Sequence, residues 1–197
     1  MSPEDTYELL RNLTSPIIAL TSTWRGRHNG MITDSVIRAS LSLRVPRIAV
    51  VIHRWNWSHD LVLRSGAFVL HLLHREQWDV VQALGFESGR ERDKMVGLRY
   101  RLGRLGRPVL TDCYAYLECR VANVMDVGGS TMFLGDVVEA DRGPGAEVMT
   151  AAYFRANQPA EWRAQYVKRL KAAQAFADAH ATPLLPFHWT GPEEPQS

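Results

Sequence analysis

The sequence is short of several things that would narrow its function at once. Cys113 and Cys119 are the whole cysteine complement of 197 residues, too few for a disulfide framework. Their even spacing in an apparent strand puts both on one face without making them neighbours. Nothing beside them in sequence supplies a base or a helix N-terminus that would activate a thiol, so both read as core residues. No apolar run approaches the roughly 20 residues that span a bilayer. The opening Ser2, Pro3, Glu4, Asp5 lacks the basic-then-apolar pattern of a secretion signal. A cytoplasmic protein is expected. Neither sign of charge dominates, since 23 Lys and Arg against 21 Asp and Glu leave +2, which is no footprint for DNA, RNA or an anionic membrane. The most basic stretch, Arg99, Arg101, Arg104 and Arg107, is interleaved by Gly103, Gly106 and Pro108 and reads as a solvated turn between strands.

Motifs are missing as well. There is no G-x-G-x-x-G, hence no expected Rossmann domain, and no Walker loop, G-x-S-x-G elbow, H-E-x-x-H helix or C-x-x-C pair. His71 and His74 stand three apart at a strand end, where their side chains leave opposite faces, so no metal site is expected.

What is present is enough for one core: 46% hydrophobic residues in 197 suit one domain with terminal additions. Ser2 and Pro3 suit the start of a short helix over residues 3–12. β-rich runs follow at 17–23, 48–53, 67–73, 115–127 and 132–140, separated by turn residues such as Gly30, Pro46, Gly66, Pro108, Gly128 and Gly129. Short strands with this punctuation predict an antiparallel barrel rather than a doubly wound sheet. Helices are expected at 58–64, beginning on a capping serine, and at 75–84, with Trp78, Val81 and Leu84 on one side. The clearest helix, 159–180, carries Trp162, Tyr166, Leu170, Ala173 and Ala177 as a stripe for the barrel or a partner subunit. The following Leu184, Leu185, Phe187 and Trp189 make residues 184–189 too apolar for an idle tail and predict a docked segment.

The run N-G-M-I-T-D-S-V-I-R-A-S-L-S-L-R-V-P-R-I-A-V-V-I, residues 29–52, resembles the signature of the flavin reductase-like, FMN-binding split-barrel family, in which an Asn-Gly turn leads into small hydroxyl residues, a proline and a strand. Other matches follow in order. Arg54-Trp55-Asn56-Trp57-Ser58 resembles the family's basic-x-Asn-x-Thr loop, and residues 65–73 its next strand. Gly85-Phe86-Glu87-Ser88-Gly89-Arg90 resembles its F-G-x-x-S-G-R turn, Asp93-Lys94-Met95 its D-K-F element, residues 106–110 its G-x-P-x-L turn and residues 117–121 its L-E-C-R-V strand. Each is weak alone; their order over residues 15–140 is specific.

The resemblance implies a mainly β fold with helices: a Greek-key split barrel over residues 1–145, with an N-terminal helix, and a C-terminal helix with a Pro-rich docking tail over 146–197. It implies bound FMN. Ser40, Ser42, Arg54, Asn56 and Ser58 offer the hydroxyls, amides and guanidinium that a dianionic phosphate needs, and a helix starting at Ser58 would add its free amides and dipole, so that Ser58 is both cap and ligand. Met31, Ile32, Thr33, Asp34 and Ser35 would line the pyrimidine edge of the ring, and Leu41 and His53 complete the expected pocket. Asp34 stands where the family has a smaller residue, and a carboxylate beside the ring would disfavour an anionic reduced flavin. Trp55 and Trp57 are candidates to stack on flavin or adenine, with ordinary packing at a strand end as the alternative. Where many members carry Gly-Asp-His before the last strand, this chain has Gly128-Gly129-Ser130, so no catalytic residue is assigned and Ser130 stands at the position of the histidine. The implied activity is NAD(P)H-dependent flavin reduction, with a monooxygenase as the implied partner; the alternatives are an FMN carrier without nicotinamide turnover, or an FMN enzyme acting on a specialised organic substrate. A homodimer is expected from the family.

Overall fold

The computed structural model describes residues 2–180 and residue 191. Helix α1, Pro3–Leu10, starts in a capping box in which the Ser2 hydroxyl accepts from the Asp5 amide and the Asp5 carboxylate accepts from the Ser2 amide. Strand β1, Ile18–Trp24, then turns into β2, Arg27–Thr33. The two-residue loop is Arg25 and Gly26, with φ of 48° and 74°, the doubly left-handed turn that matches strand twist. Next come β3, Val36–Arg38; β4, Arg47–His53; α2, Trp57–Ser65; β5, Ala67–Leu72; and α3, Trp78–Gly85. The hairpin of β6, Tyr100–Leu102, and β7, Pro108–Leu110, precedes the long pair β8, Ala115–Asp126, and β9, Ser130–Arg142. Helices α4, Ala151–Asn157, and α5, Ala160–Ala179, end the described chain. Among the described residues no helix is long and apolar enough to cross a membrane.

Seven strands form one antiparallel sheet in the order β2-β1-β5-β8-β9-β4-β3. The outermost strands β2 and β3 are consecutive in sequence and joined only by residues 34 and 35. Three Cα steps span about 11 Å at most, so the sheet must curl until its two edges meet there. This is the split barrel.

The curl explains why β1 reads as a continuous apolar run. Ile18 and Leu20 point into the barrel beside Val50, Ile52, Phe68, Leu70 and Phe133, while Ile17 and Ala19 point outward into a second core with Leu73, Val80, Val81, Leu84, Met149 and Trp162. Both faces are buried, so period-two alternation disappears. Each large side chain removed from water contributes about 1.5–3 kcal/mol. Cys113 and Cys119 are buried free thiols in separate clusters, and burial pushes the Cys113 thiol up to about 11 and the Cys119 thiol higher still.

The sequence reading needs correction in several places. Gly30 and Asn29 form no turn: they lie inside β2, opposite Thr21 and Ser22. Glycine is required at 30 by close approach, because a Cβ there would lie 2.9 Å from a Leu84 methyl of α3. The strand character of β2 and β3 is masked by polar residues that face the site or solvent. Helix α2 begins at Trp57 with Asn56 as its N-cap, so Ser58 lies inside the first turn and does not cap it. The expected helix at 75–84 starts three residues later because Gln77 turns back to accept the His74 amide. In α5 the buried face differs from the expected stripe: Trp162 is buried, Tyr166 is exposed beneath the Arg11 guanidinium, and Arg169 and Phe176 turn toward the barrel. The expected docked segment 184–189 lies outside the described residues.

Candidate functional site

At the open end of the barrel, where β4 passes into α2, the chain leaves a cavity of about 460 Å³. Its floor is Asn29, Met31 and Ile32 from β2. One wall is the loop from Arg54 through Asn56 and the start of α2 at Trp57 and Ser58. The opposite wall is the 84–94 loop, and α5 adds Arg169 and Phe176.

The wall at Arg54 is fixed from several sides. The Arg54 amide donates to the Gly129 carbonyl at 3.0 Å, and its guanidinium pairs with Asp126 at 2.9 Å. Arg90 crosses from the other wall, donating to the Trp55 carbonyl at 3.2 Å and to Asp60 at 2.9 Å. A hydrogen bond from His59 and the Arg90 charge hold the Asp60 carboxyl below the usual carboxylate range despite its burial. Asn56 makes no side-chain cap, so the first amides of α2 are open to a ligand, and a helix start favours negative charge.

Asn29 is the unusual member. It is 2% exposed; its Nδ2 donates to Ser58 Oγ at 2.9 Å, and its Oδ1 has no hydrogen-bond partner. A buried polar atom left unpaired costs about 1–3 kcal/mol, a cost that a ligand donor would remove. The Asn29 side chain needs glycine across from it: a Cβ at Gly89 would stand 2.0 Å from Oδ1 and 2.7 Å from the Trp57 ring. Lys94 closes the base of the loop, donating to the carbonyls of Leu84 at 2.6 Å and Glu87 at 3.1 Å. Burial, and then the Arg169 charge, lower its amine to about 7.

Met31, Ile32, Arg54, Asn56 and Ser58 therefore meet in one cavity, which Trp55 and Trp57 also line, and the other expected residues lie elsewhere. The Thr33 hydroxyl accepts from the Ser35 amide, and the Asp34 carbonyl accepts from Ser15 at 2.7 Å. Ser40 and Ser42 spend their hydroxyls on the amides of residues 42, 44 and 45, and Leu41 is exposed between them. His53 faces Ser130 across β4 and β9, its Nδ1 2.6 Å from Ser130 Oγ. Trp57 packs under the Arg27 guanidinium at 4.4 Å, and Trp55 meets Phe176 edge-on at 5.7 Å. Asn29, Ser88, Lys94, Arg169 and Phe176 are lining residues that sequence reasoning did not single out. The first three belong to quoted motifs and were findable; the α5 pair carries no local signal.

A second cavity, about 250 Å³, lies between the start of α3 and the loop before β6, lined by His74, Glu76, Asp79, Arg99 and Asp112 among others. It holds no orphaned buried group, and Arg99 pairs with Asp112. Among the described residues no cluster of His, Cys, Asp and Glu could hold a metal ion.

An open helix start, convergent cations and an unpaired amide inside a curled antiparallel sheet repeat, in space, the order of motifs along the chain. A family profile, the flavin reductase like domain, matches residues 10–161. The chain belongs to that family. The chain is 34% identical over 147 residues to a high molecular weight rubredoxin of Moorella thermoacetica, covering 74% of this chain and 63% of the relative, so it spans under two thirds of that protein. It is 32% identical over 149 residues to a ferric-chelate reductase (NAD(P)H) of Archaeoglobus fulgidus, covering 75% of this chain and 87% of the relative. Among solved structures, a homologue of nitrilotriacetate monooxygenase component B from Mycobacterium thermoresistibile superposes with a TM-score of 0.63 at 26% identity, over 73% of this chain and 79% of that one. The family domain thus includes both barrel and cavity walls, and ends two residues into α5.

Proposed function

We propose that the chain is an NAD(P)H-dependent flavin reductase that holds FMN in the cavity between β2, α2 and α5. The observation that carries this reading is the unpaired Asn29 amide oxygen beside the open start of α2, in a cavity that Arg54, Lys94 and Arg169 also line: a donor-rich end for a phosphate and an acceptor for a ring or ribityl donor. When bound, the flavin supplies the hydride acceptor, N5, and the protein supplies position and electrostatics. On this reading Arg54, Asn56 and the α2 amides take the phosphate, Ser58 orients Asn29, and Met31 and Ile32 lie against the ring. Ser130, at the position where many family members have the histidine of Gly-Asp-His, is paired with the His53 imidazole at 2.6 Å, and neither residue lines the cavity. Hydride transfer to N5 needs close positioning more than a proton donor.

Ile37, Leu41 and Leu43 are 62%, 83% and 98% exposed along the β3 edge and the loop after it. A contiguous apolar edge of this kind supports a homodimer, in which Ser40, Leu41 and Ser42 face the partner. The relatives' names support a role as reductase to a monooxygenase partner. A second reading, an FMN carrier without nicotinamide turnover, draws on one observation: α5 packs on Gly129, with Ala177 Cβ 2.8 Å from where a Cβ of residue 129 would stand, which narrows the mouth where a nicotinamide would approach.

Anaerobic mixing of the FMN-loaded protein with NADH or NADPH separates the two. Rapid bleaching of the oxidised flavin band is the outcome expected of the reductase. Tight FMN without bleaching would favour the carrier, and no FMN binding at all would end both.

A further inference from the structure

Helix α5 lies almost wholly beyond the matched domain, yet two of its side chains line the cavity. Arg169 and Phe176 are seven residues apart, two turns of one face. At Arg169, Nη1 donates to the Phe86 carbonyl at 2.7 Å, on the wall that follows α3. At Phe176, the ring meets Trp55 edge-on at 5.7 Å on the opposite wall, and one residue on, Ala177 packs on Gly129 of the β8–β9 turn. The helix therefore bridges both rims.

The charges call for an anion. Among the described residues no carboxylate pairs with Arg169, and Lys94 beside it is bonded only to two backbone carbonyls. Arg54 and Arg90, by contrast, each have an aspartate. Glu87, the one carboxylate that acts on Lys94, is itself paired with Arg92 at 2.8 Å, so the two cations still repel each other, and an anion between them would relieve that repulsion. A phosphomonoester dianion would compensate both. The bridge itself is lightly held: Trp162, packed on Phe86 at 4.9 Å, is the only buried residue of α5. The rest of the helix can swing about that anchor more readily than the barrel can deform.

We infer that α5 is a strap over the flavin cavity, with Arg169 as a phosphate contact and Phe176 as the apolar latch against Trp55, so that this protein retains FMN rather than releasing it freely after each turnover. The inference rests on the flavin reading above and adds to it which state of the cofactor the chain favours. It gives the two side chains separable effects. Loss of Arg169 acts only on ligands that carry phosphate; loss of Phe176 acts on release of any flavin.

The test is flavin affinity and dissociation rate, read by flavin fluorescence on the full chain with FMN and with riboflavin. Arg169→Met is expected to weaken FMN tenfold or more and riboflavin less than twofold, with Arg169→Lys recovering part of the loss. Phe176→Ala is expected to speed release of both ligands by about tenfold, since each 1.4 kcal/mol of lost contact is tenfold. Circular dichroism of each variant checks that α5 is still folded, and Trp162, untouched in both, keeps it anchored. Normal FMN binding and release in both folded variants would overturn the strap and leave the flavin reading intact. Failure of the unaltered protein to bind FMN would overturn both together. Equal losses of FMN and riboflavin in Arg169→Met would overturn the phosphate contact.

Discussion

Buried polar groups in the barrel wall and at the cavity are treated in opposite ways. His71, fully buried, uses both ring nitrogens: Nδ1 donates to the Ala19 carbonyl at 3.1 Å and Nε2 accepts from the Leu110 amide at 3.0 Å. Glu118, also fully buried, accepts the amides of Arg104 and Leu105, both at 2.9 Å, and pins the β6–β7 turn onto the sheet. A Cβ at Gly103 would fall 1.9 Å from its carboxylate. At the cavity, Asn29 keeps an unpaired oxygen, Lys94 bonds only backbone carbonyls, and no carboxylate among the described residues pairs with Arg169. The wall completes these bonds from within and leaves Arg107 Nε as its one orphaned buried side-chain atom among the described residues, whereas the Asn29 oxygen stands at the cavity, where a ligand can use it.

Several substitutions would break or sharpen this contrast. The largest loss is expected for Glu118→Ala, which removes a buried carboxylate that holds two part-buried amides and should lower stability by about 3–5 kcal/mol, measured by urea unfolding. Next is acid. Burial holds the His71 imidazole down at about 4, whereas the unfolded residue titrates near 6.5. Between these values the unfolded chain takes up a proton that the folded one refuses, so stability falls as pH drops from about 6.5 to 4, by on the order of 2–3 kcal/mol. His71→Gln should flatten that part of the profile. A smaller effect, with the opposite balance between stability and binding, is expected of Asn29→Ala. Stability should move by less than about 1 kcal/mol, because only the bond to Ser58 is lost, while FMN binds about tenfold more weakly. A stability loss as large as that of Glu118→Ala would erase the distinction.

The last contrast concerns Lys94, read as two opposed pH slopes. Its amine is lowered to about 7, so the unfolded chain holds a proton that the folded one lacks above that pH. Stability of the flavin-free protein should rise as pH increases from about 7 toward 10. FMN affinity should fall over the same range as the cation facing Arg169 and Glu87 is neutralised. Lys94→Met should remove both slopes, and titrations at fixed ionic strength would read them.

How far the sequence could be read follows the same division. Strands β1, β4, β5, β8 and β9 were visible because their apolar runs and flanking Gly and Pro residues report burial directly. Strands β2 and β3 were not, since an edge strand that lines a site is built from Asn29, Thr33 and Arg38 rather than from core residues. The loop from Arg54 to Ser58 was legible as a donor-rich strand end before a helix. Met31 and Ile32 were legible with it, but the stretch from Thr33 to Ser42 was not, because period and motif order cannot tell which of its residues stays at the cavity once the sheet edge turns away. Helix α5 was legible as a helix, but its inward face was misjudged: Tyr166 satisfies the hydrophobic spacing, whereas Arg169 and Phe176 are held by a carbonyl and a tryptophan more than eighty residues away in sequence.

The sequence by itself determined the class of fold, the order of the motifs and a donor-rich loop after β4, because burial periodicity and turn chemistry act over a few residues. Only the tertiary structure decided that Asn29 is an orphaned amide, that Ser58 supports it instead of capping a helix, and that α5 bridges the cavity. Those facts depend on curling the sheet and on close approaches at Gly30, Gly89 and Gly129, contacts between distant parts of the chain that no local pattern encodes.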